Sequence, residues 1–412
     1  MILWGIGGLL LWGGMVQTAQ AQIDRRRDQY PHELGYFLFP APYSMPGIGE
    51  GLMVVASVTN IADTDVDTFL IYLTGALEGY VGGLDDVYVV PKHVAVGFWG
   101  NRFTKASMFF YNSRGMNTKK DDYVIGLANR YSADAPQVRF HFWDRRLNLG
   151  YRKITAKATA IGYNKPDGTP LVRPPEPITV DMSQEMRWAQ LDFTDDYYDP
   201  HRGVQLLYIE MPSLTSDVTQ PEFTTVTSAA KVFLPMGRVS TWGFAYFSSD
   251  SKVQRMGETN RTAVENTMCN PADPAYANCL KAVAPQVDNT LAHNQYGDAE
   301  SLGGQNMLRS YPGGRFKAAH MRYWSTEFRW SLTEEVTPFN YYIWKDIRTS
   351  IQVAFFYEQG TVADQTGDLW KDSRNSYGMG LRLVTLSGLA YRADWATGKE
   401  GSNTTIIFNY PW

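Results

Sequence analysis

Charged residues recur at two-residue spacing in the C-terminal half of this 412-residue chain: Glu327 with Arg329, and Arg392 with Asp394, with Arg348, Glu358 and Arg382 between them. Arginine offers a planar fork that grips a carboxylate through two parallel hydrogen bonds. The chemistry such a set supports is ion pairing, with no bond made or broken. Histidines sit at positions 32, 93, 141, 201, 293 and 320, scattered over turns and loops. No pair of them has metal-site spacing, and none joins a Ser and a carboxylate in a hydrolase-like pattern. No Gly-rich phosphate loop follows a strand. The expectation is no enzyme, no metal and no cofactor. Cys269 and Cys279 bracket a Pro/Asn-rich stretch and are expected to form a structural disulfide, which an exported chain can acquire in an oxidising compartment.

The elements that place these charges read as strands. From residue 321 to 332, Arg322, Trp324, Thr326, Phe328, Trp330 and Leu332 alternate with Tyr323, Ser325, Glu327, Arg329 and Ser331. Successive strand side chains point to opposite faces, so one set suits lipid and the other a wet lumen. The pattern repeats with Phe355 and Tyr357 against Gln352 and Glu358, and with Tyr377, Met379 and Leu381 against Gly378, Gly380 and Arg382. It continues with Tyr391 and Trp395 against Arg392 and Asp394, and closes with Ile406, Phe408, Tyr410 and Trp412 on one face. Nine strands fit residues 186–412, and about seven more fit 52–163, where alternation is harder to follow and 121–131 reads as strand or short helix. An even total near sixteen is expected of a single-chain bacterial barrel. The fold class is thus all-β: a transmembrane antiparallel up-and-down β-barrel with one long extracellular loop, residues 250–316, directed into the lumen.

Composition agrees. Aromatics reach 14% while mean hydropathy is slightly polar, as expected where only half of each strand faces lipid. No stretch after the N-terminus has the ~18 uninterrupted apolar residues of a spanning helix. A net charge of −4 without a basic, aromatic-interleaved patch gives no reason to expect nucleic acid. Residues 1–21 read as a signal peptide, an apolar run ending in Ala19-Gln20-Ala21, though no Lys or Arg precedes it. Residues 22–49 are then a short periplasmic segment, and 50–412 the barrel domain of the bacterial outer membrane, in contact with lipid and lipopolysaccharide.

Further motifs carry a resemblance. Leu302-Gly303-Gly304, Leu308-Arg309-Ser310-Tyr311 and Thr326-Glu327-Phe328-Arg329 occur in that order. Phe356-Tyr357-Glu358-Gln359-Gly360, Gly378-Met379-Gly380-Leu381-Arg382 and Arg392-Ala393-Asp394 follow, and Asp195 to Gly203 lies upstream. Together they resemble the bacterial surface antigen superfamily, the barrel domain shared by BamA, TamA and two-partner-secretion transporters, over residues 186–412. Ser310 stands where the family's loop tip has Gly, Glu358 where it has Asp, and Trp412 where it ends in Phe. The resemblance implies that the long loop folds back into the barrel and that Arg309, flanked by Ser310 and Tyr311, latches onto Glu358, with Asp394 a second acceptor. The alternative is a set of solvated lumen charges.

Residues 22–49 are too short for the periplasmic POTRA domains that precede the barrel in this family. Three functions therefore stay open. The first is a POTRA-less barrel for protein or lipid assembly or translocation, working with a separately encoded periplasmic or outer-membrane partner. The others are a passive diffusion channel and a structural anchor for a partner complex. Family resemblance favours the first, and the short N-terminal segment the other two.

Overall fold

The computed structural model describes residues 35–412, apart from 60, 65, 197–198, 238–239, 334–338, 342–343, 348–349, 385–389 and 409. The expected signal peptide, residues 22–34 and Arg348 lie outside the described residues.

Sixteen antiparallel strands close into one barrel. In chain order they are β1 (Gly35–Met45), β2 (Gly49–Thr59), β3 (Asp67–Gly75) and β4 (Glu78–Val90). Next come β5 (Val94–Tyr111), β6 (Tyr123–Phe142), β7 (Leu147–Asn164) and β8 (Ile178–Asp192). The second half holds β9 (Gly203–Ser213), β10 (Glu222–Met236), β11 (Ser240–Arg255) and β12 (His320–Ser331). The last four are β13 (Ser350–Ala363), β14 (Arg374–Val384), β15 (Ala390–Gly398) and β16 (Gly401–Phe408). Each strand pairs with its successor, and β16 returns to β1. Closure satisfies the backbone without water, which is what lets strands cross a bilayer. Outward positions carry the matching apolar surface: Leu52, Leu70, Tyr72, Trp242, Phe244, Tyr246, Leu381 and Trp395 are all exposed.

Four expectations are corrected or decided here. The barrel starts in the segment assigned to 22–49, because Gly35–Met45 forms a hairpin with Gly49–Thr59; a boundary at residue 50 would cut that hairpin. Of the two readings left open for 121–131, the strand holds, since β6 begins at Tyr123. The long connection spans 256–319, since β11 continues to Arg255, and it is not structureless. It holds α1 (Arg261–Met268) and α2 (Tyr276–Tyr296), stapled by the Cys269–Cys279 disulfide. Asn260 caps α1, its side chain accepting from the N–H groups of Thr262 and Ala263, two donors the first turn leaves unpaired.

The fourth concerns the lumen, which is wet only in part. Inward residues of β1–β7 form an apolar cluster that includes Tyr43, Met53, Val55, Trp99, Phe103, Tyr131 and Ile154. Residues after β16 turn inward as well. Tyr410 donates to Asp199 at 2.7 Å, and Trp412 Nε1 to Ser325 Oγ at 3.3 Å, so this aromatic end plugs the barrel mouth rather than facing lipid.

Candidate functional site

The connection after α2 turns back at Gly297 and descends into the lumen. Gly303 and Gly304 have φ of 105° and 107°, which side-chain-bearing residues rarely adopt, so this Gly pair makes the reversal possible. Leu308, fully buried, takes φ 49° at the tip, whereas Ser310, at the family's Gly position, does not have a positive φ. An apolar collar of Leu302, Leu308, Tyr311, Phe316, Met321 and Tyr323 excludes water around the tip.

Arg309, at 0% exposure, is the hub. Its Nε donates to Glu358 Oε1 at 2.8 Å and its Nη1 to Asp394 Oδ2 at 2.6 Å, while Glu327 lies 3.4 Å away. Its backbone N–H donates to the second Glu358 oxygen at 2.8 Å, so the carboxylate grips side chain and main chain together. The guanidinium lies 3.3 Å above the Phe356 ring, and Tyr323 donates to Glu358 at 2.9 Å. Arg382 makes a bidentate pair with Glu327, Arg329 donates to Glu327 at 2.8 Å, and Arg392 pairs with Asp394 and with the Gln305 carbonyl. Ser310 N–H donates to Ser376 Oγ, and Tyr311 Oη accepts from Lys399 N–H. A Cβ on Gly380 would lie 2.0 Å from Asp394 Oδ1, so that Gly leaves room for the acceptor.

The residues expected to cluster, Arg348 aside, thus form one assembly. The reading as solvated charges does not hold for Arg309, Glu327, Glu358, Arg382, Arg392 or Asp394, none of which is more than 1% exposed. Charge is balanced among the described residues: Arg309, Arg329, Arg382 and Arg392 face Glu327, Glu358, Asp394 and, 3.9 Å from Arg329, Asp199. Buried ions demand this, because an unpaired charge in a dry site costs several kcal/mol. The assembly can hold a loop.

Sequence reading missed three further parts. Asp199, on the β8–β9 connection, enters the lumen to meet Gln352 and Tyr410. A second buried network joins Asp85 and Asp86 to Gln137, Arg139 and Arg145, and its paired Asp-Asp was the available signal. His141, expected with the other histidines on a turn or loop, instead lies in β6, buried and bonded to Asn148. At the loop end, Arg114 reaches Asp298 and Asp364, and Arg315 reaches Glu400, fastening the descending segment to three other connections.

The β1–β16 seam is the weak line of the barrel. All eleven residues of β1 pair with β2, but among the described residues only Ser44 pairs with β16, opposite Ile406. Side chains supply the rest: Ser44 Oγ donates to the Thr404 carbonyl at 3.0 Å, and Tyr391 Oη to the Pro42 carbonyl at 2.9 Å. That last bond shows the cause. Residues two apart turn their backbone groups to the same edge, so Pro40 and Pro42 leave the seam edge without two N–H donors.

No protein-family model matches the chain, and no curated protein matches it. Solved structures similar to it include three outer-membrane proteins. BamA from Haemophilus ducreyi lacking POTRA domains 1–3 is 10% identical at a TM-score of 0.49, over 97% of this chain and 78% of that one. CdiB from Escherichia coli is 10% identical at 0.49, over 93% and 68%. CdiB from Acinetobacter baumannii is 10% identical at 0.49, over 93% and 66%.

Proposed function

We propose that this chain is an outer-membrane barrel that takes part in protein or lipid assembly or translocation, together with a separate partner protein, and that its moving part is the β1–β16 seam. The observation that carries this reading is the single ladder pair among the described residues there, against eleven between β1 and β2. A wall held mainly by side-chain contacts parts at far lower cost than a full ladder, since each backbone bond lost in lipid leaves polar groups unsatisfied. Pro40 and Pro42 also blunt the exposed edge against permanent capture of another strand. Passive diffusion is the weaker reading, because residues 302–316 fill part of the lumen and the aromatic end fills one mouth.

The test is a covalent lock. Directly opposed residues on antiparallel strands lie at a Cα separation that a disulfide spans, so Ser44→Cys with Ile406→Cys should close the seam on oxidation. In cells carrying this variant as their sole copy, oxidation should reproduce the outer-membrane defect of the deletion strain, and dithiothreitol should reverse it. The parent chain, with only its native disulfide, controls for the reductant. A locked seam that leaves outer-membrane composition unchanged would remove the proposal; unchanged solute flux in that case would point to the channel.

A further inference from the structure

The barrel wall opens at a second place, between β8 and β9. Fourteen of the fifteen residues of β8 pair with β7, but among the described residues only six, 187–192, pair with β9. Extending that register sets Pro212 opposite Glu185, and the ring removes the N–H that the Glu185 carbonyl would meet. β9 ends one residue later, at Ser213. Gln184 closes the apex of the gap, its Nε2 donating to the Pro212 carbonyl at 2.9 Å. Two bonds give the direction of the edge: Asp192 N–H donates to the Arg146 carbonyl on the β7 side, and Phe193 N–H to the Val204 carbonyl of β9. Odd-numbered residues therefore turn their backbone groups toward β9, and beyond the apex Thr179, Asp181 and Ser183 turn theirs into the gap. The side chains of these three point outward and are exposed, whereas Val180 and Met186 are buried inside. In lipid such an edge would be prohibitive. The polar outward row of Thr179, Asp181, Ser183 and Glu185 sets it in water instead, at the rim that carries the long connection. Behind the edge, beside α2, lies a cavity of about 470 Å³. Residues 180–184 all line it, so it meets the edge of β8 as well as its inner face, and Met211 and Phe223 add apolar wall.

We propose that this edge takes up an extended segment of a partner protein as an added antiparallel strand, with basic side chains outward and apolar ones inward. Strand addition draws affinity from main-chain bonds and specificity from alternate side chains. Three edge residues, each exchanging both bonds with the residue opposite, supply about six hydrogen bonds. Directly opposed side chains share a face, so partner residues opposite Thr179, Asp181 and Ser183 lie outside. There β8 offers two carboxylates, Asp181 and Glu185, and no cation beyond the end of the ladder, which favours lysine or arginine opposite. Asp181 and Glu185 do meet Lys157 and Arg187, at 3.2 and 3.4 Å, but in exposed pairs that contribute little. The intervening partner residues turn inward, toward the cavity beside Val180 and Met182, which selects apolar side chains. A second copy of this chain is the competing occupant, and pairing two β8 edges would set one acidic row against the other.

The probe is a fluorescein-labelled nonapeptide of alternating lysine and valine, followed by anisotropy as the full chain in phosphatidylcholine nanodiscs is added, with empty nanodiscs as control. Saturable one-to-one binding is expected. In the antiparallel pairing the lysines carry the N–H groups that face β8, so N-methylation of the lysines should weaken binding roughly tenfold or more. N-methylation of the valines, whose N–H groups face away, should leave it within about threefold. Ser183→Pro removes a gap-facing donor without touching the β7 ladder and should weaken the parent peptide roughly tenfold, whereas Ser183→Ala keeps the N–H and should bind as the parent chain does. Heat-modifiable mobility reports whether each variant has assembled, and the two methylated peptides carry the test on the unaltered chain should Ser183→Pro not assemble. Methylated forms that bind alike would mean that the edge does not read the backbone in this register, and binding no greater than to empty nanodiscs would mean a merely hydrated edge; either overturns the proposal. So would a two-copy assembly that Ser183→Pro dissolves, since the edge would then belong to a second copy of this chain.

Discussion

Truncating Arg309 tests whether the loop is latched or merely rests in the barrel. Arg309→Ala removes the donor shared by Glu358, Asp394 and Glu327, all fully buried. Breaking a buried pair in this way costs about 3–5 kcal/mol, because the remaining charge stays dry and unpaired. Here the upper end is expected, since three carboxylates lose one cation. Glu358→Ala should cost less, because Arg309 keeps Asp394 at 2.6 Å. The two substitutions share one interaction, so their double mutant should fall short of the sum by roughly 1–3 kcal/mol. Planar-bilayer recordings provide the assay. If the loop swings free, the fraction of time in the conducting state should rise on the order of a thousandfold or more for Arg309→Ala, taking about 1.4 kcal/mol per tenfold. Effects that add within about 0.5 kcal/mol would show independent charges and refute the latch.

Other consequences follow from the same geometry. Proteolytic nicking between Cys269 and Cys279 should leave the fragments joined on non-reducing gels; replacing both with Ser should loosen the helical hairpin by at most ~3 kcal/mol while the barrel keeps its heat-modifiable mobility. Burial holds the Glu300 carboxyl up at about 7, whereas in an undocked loop it titrates near ~4.3. The docked form therefore favours the protonated acid, so this group's contribution to docking is present below about pH 4, declines from there to about 7, and is flat above. Limited proteolysis of 256–319 should quicken across that interval, and Glu300→Gln should flatten the dependence; an unchanged profile would show that Glu300 has no part in it. Trp412→Ala, which empties the space beside Arg329, Phe233 and Ser325, should destabilise the barrel by about 3 kcal/mol in urea-melt experiments, and a change under 1 kcal/mol would show the end to be loosely held.

The inward charges of β12–β15 were legible because most of them are flanked by large outward-facing apolar residues, as Glu327 and Arg329 are by Phe328 and Trp330, and a period of two then allows only one assignment of faces. In β2 and β3 that signal vanishes. Leu52-Met53-Val54-Val55 and Phe69-Leu70-Ile71-Tyr72-Leu73 are apolar on both faces, one toward lipid and one toward the apolar half of the lumen. Such runs show that a strand exists without showing its register. Local pattern likewise placed Arg309 in a loop and Glu358 on a wall, and the resemblance then implied their meeting. Their distance depends on the stagger of strands far apart in sequence and on how far the loop descends between them. The same holds for Arg114 with Asp364 and for Asp199 with Tyr410, pairs 250 and 211 residues apart. Alternation decides which side of the wall a residue occupies; only closure of the barrel decides which residues across the lumen it meets, because that neighbourhood is set by all sixteen registers together.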